Sequence, residues 1–432
     1  MSTRSRGRAL AFLAAASLAA SIFSAAFSAA QAQTPPTMTT LYAFQAKDDN
    51  PNAGVVGTGR ALYGTTAAAV FMLGPAGGPW TETKLLNVEL PTGIAFGPTG
   101  EMYGMTLQGG AVPACSFGCG TVFALTPPAS PGGPWTRDLL YSFGGDGDGA
   151  FPTGAPVISR DGTIYGTTQY GGAAGGCSGM QPGCGTVFAL TPPASPGESW
   201  TETLVYNFRG HDDGANPGGG LVIDENGALY GTTPVGGEYL EGSVFKLSPP
   251  AAPGGDWTKT VIYSFTGNDG DGSQPSSGLV AGPGGVLYGT TALGGTADGG
   301  TVFALYRPAF GGPWAEQVLY RFEVQEGFLP VPNGKLAIGK SGALFGTTAH
   351  AGISSPSCSY GCGLVFGVYP SSNGGAWTGR VLYSFGGGSD GASPLGGLVI
   401  GEDGALYGTT LYGGDVSCKP PIGCGTAFRL VP

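Results

Sequence analysis

Short apolar clusters, each bounded by Gly, Pro, Asn or Asp, repeat along the chain in groups of four, and one group shows the pattern plainly. Gly220-Leu221-Val222-Ile223-Asp224 is followed by Glu225-Asn226-Gly227, which reads as a tight turn into Ala228-Leu229-Tyr230-Gly231-Thr232-Thr233. A Gly-rich loop leads to Ser243-Val244-Phe245-Lys246-Leu247. After Pro249-Pro250 comes Trp257-Thr258-Lys259-Thr260-Val261-Ile262-Tyr263-Ser264-Phe265. Clusters of this length and make-up predict β-strands. No stretch after residue 32 keeps apolar residues at helical spacing for three turns, so the domain is expected to be all-β.

The second strand of the group recurs throughout. Leu-Tyr-Gly-Thr-Thr stands at 62–66, 229–233, 287–291 and 406–410, and variants begin at Met102, Ile164 and Leu344, which makes seven copies. The third strand recurs as Val122-Phe123-Ala124-Leu125, Val187-Phe188-Ala189-Leu190 and Val302-Phe303-Ala304-Leu305, with close relatives in the other units. It is apolar on both faces, so it must be covered on both sides, as when sheets stack around an axis. The fourth strand places Trp257, Lys259, Val261, Tyr263 and Phe265 on one face at period two, as an outer, wetter strand would. All six Trp begin this strand and are read as packing residues.

Spacing and termini set the architecture. The Tyr or Phe of the second strand recurs at steps of 40, 62, 65, 58, 57 and 62 residues, longer than the roughly 40–50 of WD40 and kelch units. The chain ends just after a third strand, and Thr39-Thr40-Leu41-Tyr42-Ala43-Phe44 is a fourth strand with no unit before it. Pairing the two completes seven units and removes the exposed edges of an open stack. The expectation is a seven-bladed β-propeller of four-stranded antiparallel blades, closed by the N-terminal strand.

Composition changes the picture at the ends and at the surface. Arg4, Arg6 and Arg8 precede a long Ala/Leu/Phe run that ends in Ala30-Gln31-Ala32, the form of a cleaved signal peptide over 1–32. The remainder, 33–432, is then one repeat domain exported to the periplasm, the cell surface or the medium. No later segment is apolar for long enough to suggest membrane insertion after cleavage. The 84 Gly and 35 Pro punctuate the strands and mark turns rather than disorder. Without the three leader arginines, 15 Lys and Arg face 28 Asp and Glu, a net charge of −13, which argues against nucleic acid as a partner.

Leu-Tyr-Gly-Thr-Thr, then Gly-Gly-Thr-Val-Phe-Ala-Leu, then Trp-Thr-x-x-x-Leu-Tyr-Ser-Phe, resembles the GloVer tandem repeat of bacterial secreted and surface proteins. The resemblance spans essentially the whole chain after the leader. It implies an exported repeat protein, and it brings no catalytic residues with it.

Candidate chemistry is confined to loops. All eight Cys lie between the second and third strands, as Cys115/Cys119, Cys177/Cys184, Cys358/Cys362 and Cys418/Cys424, and paired cysteines in an exported chain read as local disulfides rather than a metal site. The loops leaving the fourth strands carry Asp146, Asp148, His211, Asp212, Asp213, Asp269, Asp271 and Asp390. In an up-and-down blade these loops share a rim with the Cys loops. Such a rim suits binding, and the eight residues are the candidate binding set. No metal site and no cofactor are expected, although calcium is a chemical option for the Asp-Gly loops; none of them completes an Asp-x-Asp-x-Asp-Gly pattern with a distal Glu. No nucleophile elbow, His-Glu-x-x-His or phosphate loop occurs, so no catalytic residue is assigned. The functional expectation is a non-enzymatic protein that presents this loop-rich face to a glycan or a protein of the cell envelope. The alternative is an extracellular glycosidase or lyase with carboxylates at the mouth of the channel.

Overall fold

Seven four-stranded antiparallel sheets follow one another along the chain, one for each repeat, as a seven-bladed β-propeller. The computed structural model describes residues 35–432 other than 49, 58–59, 76–78, 111–114, 131, 146, 174–176, 178–182, 196, 253, 310, 324–330 and 333. The leader expected over 1–32 lies outside the described residues, as does Asp146. Residues 36–432 make one compact unit.

Blade four shows the plan: Val222–Ile223, Leu229–Thr233, Ser243–Ser248 and Thr258–Ser264 pair in chain order from the inner strand to the outer. The N-terminal strand Thr37–Ala43 runs antiparallel to Thr426–Val431, with Thr37 opposite Val431, and so forms the outer strand of blade seven. That pairing covers two edges that an open array would leave exposed.

The outer strand departs from the expected alternation. A bulge lies opposite the step before the Phe of strand three, between Val187 and Phe188, Val244 and Phe245, and Val365 and Phe366. A bulge inserts one residue and swaps the faces beyond it. Leu204 and Val381 therefore face solvent, whereas the residues after them, Val205 and Leu382, are buried.

The Gly of Leu-Tyr-Gly-Thr-Thr has a steric cause. Gly231 lies opposite Phe245, and a Cβ there would stand 2.6 Å from the Phe245 ring tip. Gly64, Gly104, Gly166, Gly289, Gly346 and Gly408 meet the Phe of their own blades in the same way. Six of the seven rings are then packed edge-on by a Phe at the end of the preceding blade's outer strand; for Phe123 the residue at that place is Val88. Phe208 and Phe245 stand 5.1 Å apart, and Phe265 and Phe303 are also 5.1 Å apart. Further out, Trp257 packs edge-on against Tyr165 and Trp314 against Tyr230, again from one blade to the blade before it. Contacts of this kind contribute about 0.5–1.5 kcal/mol each beyond area burial. The core thus lies between blades, and each cluster of buried side chains draws on two neighbours.

Candidate functional site

The rim loops are built from their own hydrogen bonds. Asp148 accepts from the Tyr141 hydroxyl at 2.8 Å and from the backbone N–H groups of Gly144 and Gly145 at 2.8 and 3.1 Å. Asp271 accepts from the Tyr263 hydroxyl and from Thr266, and Asp390 from the Tyr383 hydroxyl, Gly386 and Gly388. Asp213 accepts from the Tyr206 hydroxyl at 2.7 Å, from the Arg209 N–H at 2.8 Å and from Lys259 Nζ at 2.8 Å. Asp48, before blade one, repeats the arrangement with Tyr42 and Gln45. Burial, reinforced by the carboxylate each hydroxyl meets, pushes these tyrosines above the ordinary phenol range.

His211 and Asp212 are exposed on the single helical turn His211–Asp213, and Asp269 is exposed at φ 55°. The candidate residues occupy the exit loops of different blades, and the four engaged aspartates close those loops. No group of three or more His, Cys, Asp or Glu among the described residues is placed to hold a metal ion.

All eight cysteines pair as their spacing predicts, with Cα separations of 5.2, 5.2, 5.0 and 6.1 Å along the chain. Both members of each pair sit in the connection between the second and third strands of their blade, but the second member does not stay at the rim. Cys119, Cys184, Cys362 and Cys424 are instead fully buried and belong to the cores between blades. The cause is position: each stands two residues before the third strand of its blade, where the chain has already turned inward. Of the first cysteines, Cys115 and Cys358 are buried as well and Cys177 and Cys418 are half-buried, so Cys119, Cys184, Cys362 and Cys424 anchor the bridges in the core and offer nothing to a ligand at the rim.

The loops that the bridges close share a rim with the exit loops. The Ser357 hydroxyl donates to the Gly387 carbonyl at 2.9 Å, and the Cys177–Cys184 bridge packs against Gly210.

The second concave feature is the axial channel, a cavity of about 660 Å³ lined by the inner strands of all seven blades. Its wall is held by hydroxyls from the Leu-Tyr-Gly-Thr-Thr strand, whose first Thr reaches into the next blade. Thr232 donates to the Ser277 carbonyl at 3.2 Å, Thr347 to Gly396 at 3.0 Å and Thr409 to Ala53 at 3.1 Å. The heads of the inner strands approach backbone to backbone. A Cβ on Gly278 would stand 2.0 Å from the Gly219 carbonyl oxygen, and one on Gly396 would stand 2.4 Å from the Gly54 nitrogen.

Lys335 brings a charge into this ring. The third residue after the proline at the head of the inner strand is Gly54, Gly220, Gly278 and Gly397 in four blades, Ala155 in the third, Ile94 in the second and Lys335 in the sixth. Its stem runs past Gly278 and Gly397 of the flanking blades, where no side chain competes for the space. Among the described lining residues it is the one charged group, and it has no ion pair there. The side chain is exposed to the water of the channel, and the protein packed around it pushes the amine below the ordinary lysine value. Sequence reasoning passed over Lys335. The signal was the break in the Pro-x-x-Gly register at Pro332.

The model of the Gloeobacter/Verrucomicrobia repeat matches residues 68–303 and 251–432. The chain belongs to that repeat family. No curated protein matches it. Solved propellers do match at the level of the fold. One is the PQQ-bound form of an aldose sugar dehydrogenase from Streptomyces coelicolor, at 13% identity and a TM-score of 0.45, covering 88% of this chain and 99% of that one. Another is a gluconolactonase from Xanthomonas campestris, at 16% identity and a TM-score of 0.41, covering 72% and 85%. A third, from a Thermus species, is assigned as an oxidoreductase (glucose dehydrogenase), at 18% identity and a TM-score of 0.43, covering 80% and 97%.

For this member of the repeat family, two expectations are corrected. The three solved propellers named above are described as enzymes, against the expectation of a non-enzymatic scaffold, and one of them holds PQQ, against the expectation of no cofactor. The three carboxylates of that quinone would meet a single cation among the described channel residues, so the channel does not fit it. The glycosidase or lyase alternative fails on geometry, because no carboxylate is among the described residues lining the channel.

Proposed function

We propose that this protein is an enzyme that takes a small carbonyl compound into its axial channel and acts on it through the amine of Lys335. The observation that carries the reading is a charged residue, Lys335, at a channel position where four blades carry glycine and the other two Ile94 and Ala155. A cavity of about 660 Å³ lies in the size range of small-molecule sites. The neighbouring polar groups are engaged in holding the ring: Thr92 donates to the Gly154 carbonyl, Asn52 to the Pro91 carbonyl, and Thr290 to the Ser277 hydroxyl. The amine is the group left to meet a ligand.

A lysine ringed by protein without a counter-charge, its amine held below the ordinary lysine value, shifts toward its neutral, nucleophilic form. The Nζ lone pair adds to the carbonyl carbon, and the C=O π electrons move to oxygen. Both Nζ protons then leave with that oxygen as water, and a C=N bond remains. The same reading sets the mature chain, beginning near Gln33, in an oxidising compartment, in keeping with its four disulfides. No described helix is long and apolar enough to cross a membrane.

The test is reductive trapping. Incubation with a panel of small aldehydes, ketones and 2-oxo acids plus cyanoborohydride should add one ligand mass per chain, mapped to the Lys335 peptide and absent from Lys335→Gly. Lys335→Gly restores the residue most blades carry there, so it should fold. Labelling spread evenly over the surface lysines, or unchanged in the variant, would overturn the reading.

A further inference from the structure

Three of the seven blade interfaces bury a pair of carboxylates. In four blades the second residue after the Trp of the outer strand faces the aspartate that closes the preceding blade's exit loop. Glu82 meets Asp48, Glu202 meets Asp148 and Glu316 meets Asp271. The Oε1 atoms of all three glutamates, and Oδ1 of Asp48, are buried without a hydrogen-bond partner. Asp48 itself is fully buried. Two ionised carboxylates can only accept, so each pair as it stands lacks a donor.

A fourth interface shows what the position needs. There the residue is Lys259, 4% exposed, and its Nζ lies 2.8 Å from Asp213 Oδ1. A cation completes that interface; in the other three a proton is the smallest group that can.

We propose that the interfaces at Glu82, Glu202 and Glu316 are proton clamps, in which the glutamate takes up a proton and donates it to the facing aspartate, so that the ring is held more firmly in mild acid than in alkali. Burial, and after it the facing aspartate's charge, pushes each glutamate up to about 7. The other groups facing these pairs do not cancel the effect. Lys84 and Lys47 lie near Glu82, with Tyr42 beside them; Tyr141 lies near Glu202; Arg321 and Tyr263 lie near Glu316. The two lysines and Arg321 lower the glutamates by less than burial and the aspartates raise them.

The sign follows from linkage. Between the ordinary Glu value of 4.5 and about 7, the folded glutamates hold protons that the unfolded chain has lost. Their stabilisation is complete below 4.5 and is lost as pH rises through 7. The carboxyls held below their ordinary values, Glu101, Asp161, Asp224, Asp403 and Asp415, act the opposite way at lower pH, outside this window; His350, held below its ordinary value by burial, acts the opposite way within it, equally in the wild type and in glutamate variants.

Thermal unfolding of the disulfide-intact protein from pH 5 to 8.5, in chelator-containing buffer, tests the proposal. The melting temperature should fall as pH rises, and proton uptake on folding near pH 6 should exceed, by nearly three per chain, that of a chain with all three glutamates replaced by Gln. The triple variant Glu82→Gln, Glu202→Gln, Glu316→Gln supplies an amide donor without a titrating group and should lose that slope. Glu202→Lys, which rebuilds the Lys259–Asp213 arrangement against Asp148, should remove about one third of the uptake. A wild-type melting temperature that is flat or rises across the window would overturn the proposal. So would either variant with a wild-type slope.

Discussion

Asp213→Ala will cost the propeller about 3–5 kcal/mol, because it strands a buried cation. Lys259 is 4% exposed, and its Nζ donates to both the side chain and the carbonyl of Asp213. The rings of Tyr206 and Phe208, with centroids 5.3 and 5.1 Å away, cannot replace an anion. Burial already pushes the lysine below its ordinary value, and without the Asp213 carboxylate only the backbone carbonyl of that residue and the two rings are left to favour its charged form. Denaturant titration of Asp213→Ala, of Lys259→Met and of the double variant separates the contributions. The double variant should recover most of the loss, since an apolar chain in place of the ion pair needs no partner. Asp390→Ala provides the comparison. It removes the same kind of loop bonds, from Tyr383, Gly386 and Gly388, with no lysine paired to it, and should cost about 1–2 kcal/mol. Equal losses at Asp213 and Asp390 would contradict the account of the buried lysine.

Gly278→Ala will destabilise the ring by about 3 kcal/mol, at the upper end of what an added methyl costs in a packed core. The new Cβ would lie 2.0 Å from the carbonyl oxygen of Gly219 in the neighbouring blade, and backbone cannot swing aside as a side chain can. The backbone angles of Gly278 lie outside the left-handed region, so the cost is close approach and not strain at the glycine itself. Gly147→Ala, with open space around it, should leave the unfolding midpoint within experimental scatter. If Gly278→Ala melted with the wild type, the inner strands would have room that the described contacts do not allow.

The propeller was legible because its determinants are local and repeated. Tyr230 and Gly231 recur in register, Thr39–Phe44 supplies the missing outer strand, and the Cys pairs are close in sequence. The pairing of the cysteines could be read from spacing, but the burial of Cys119, Cys362 and Cys424 could not, since it depends on the blade that packs over them. The bulge was not legible, because Leu204 and Val205 are both apolar and only the pairing with strand three decides which turns inward. The aspartates stand out by their spacing, but each is answered by a Tyr seven or eight residues earlier on the outer strand, a partnership that depends on how the loop folds back. Glu82, Glu202 and Glu316 look like ordinary polar positions of an outer strand. Their partners lie in the preceding blade, and stacking is what closes water out. Lys335 was hidden for a related reason: a charged residue among glycines becomes chemistry only when seven strand heads meet around an axis.

The most direct measurement is the pH dependence of amine reactivity at Lys335, followed by trace acylation and peptide mass mapping. The account predicts that Lys335 reaches half-maximal reactivity at a lower pH than the average of the other lysines, and that a trapped carbonyl ligand protects it. A Lys335 that titrates with the others, and that reacts equally with and without such a ligand, would contradict an active amine in the channel.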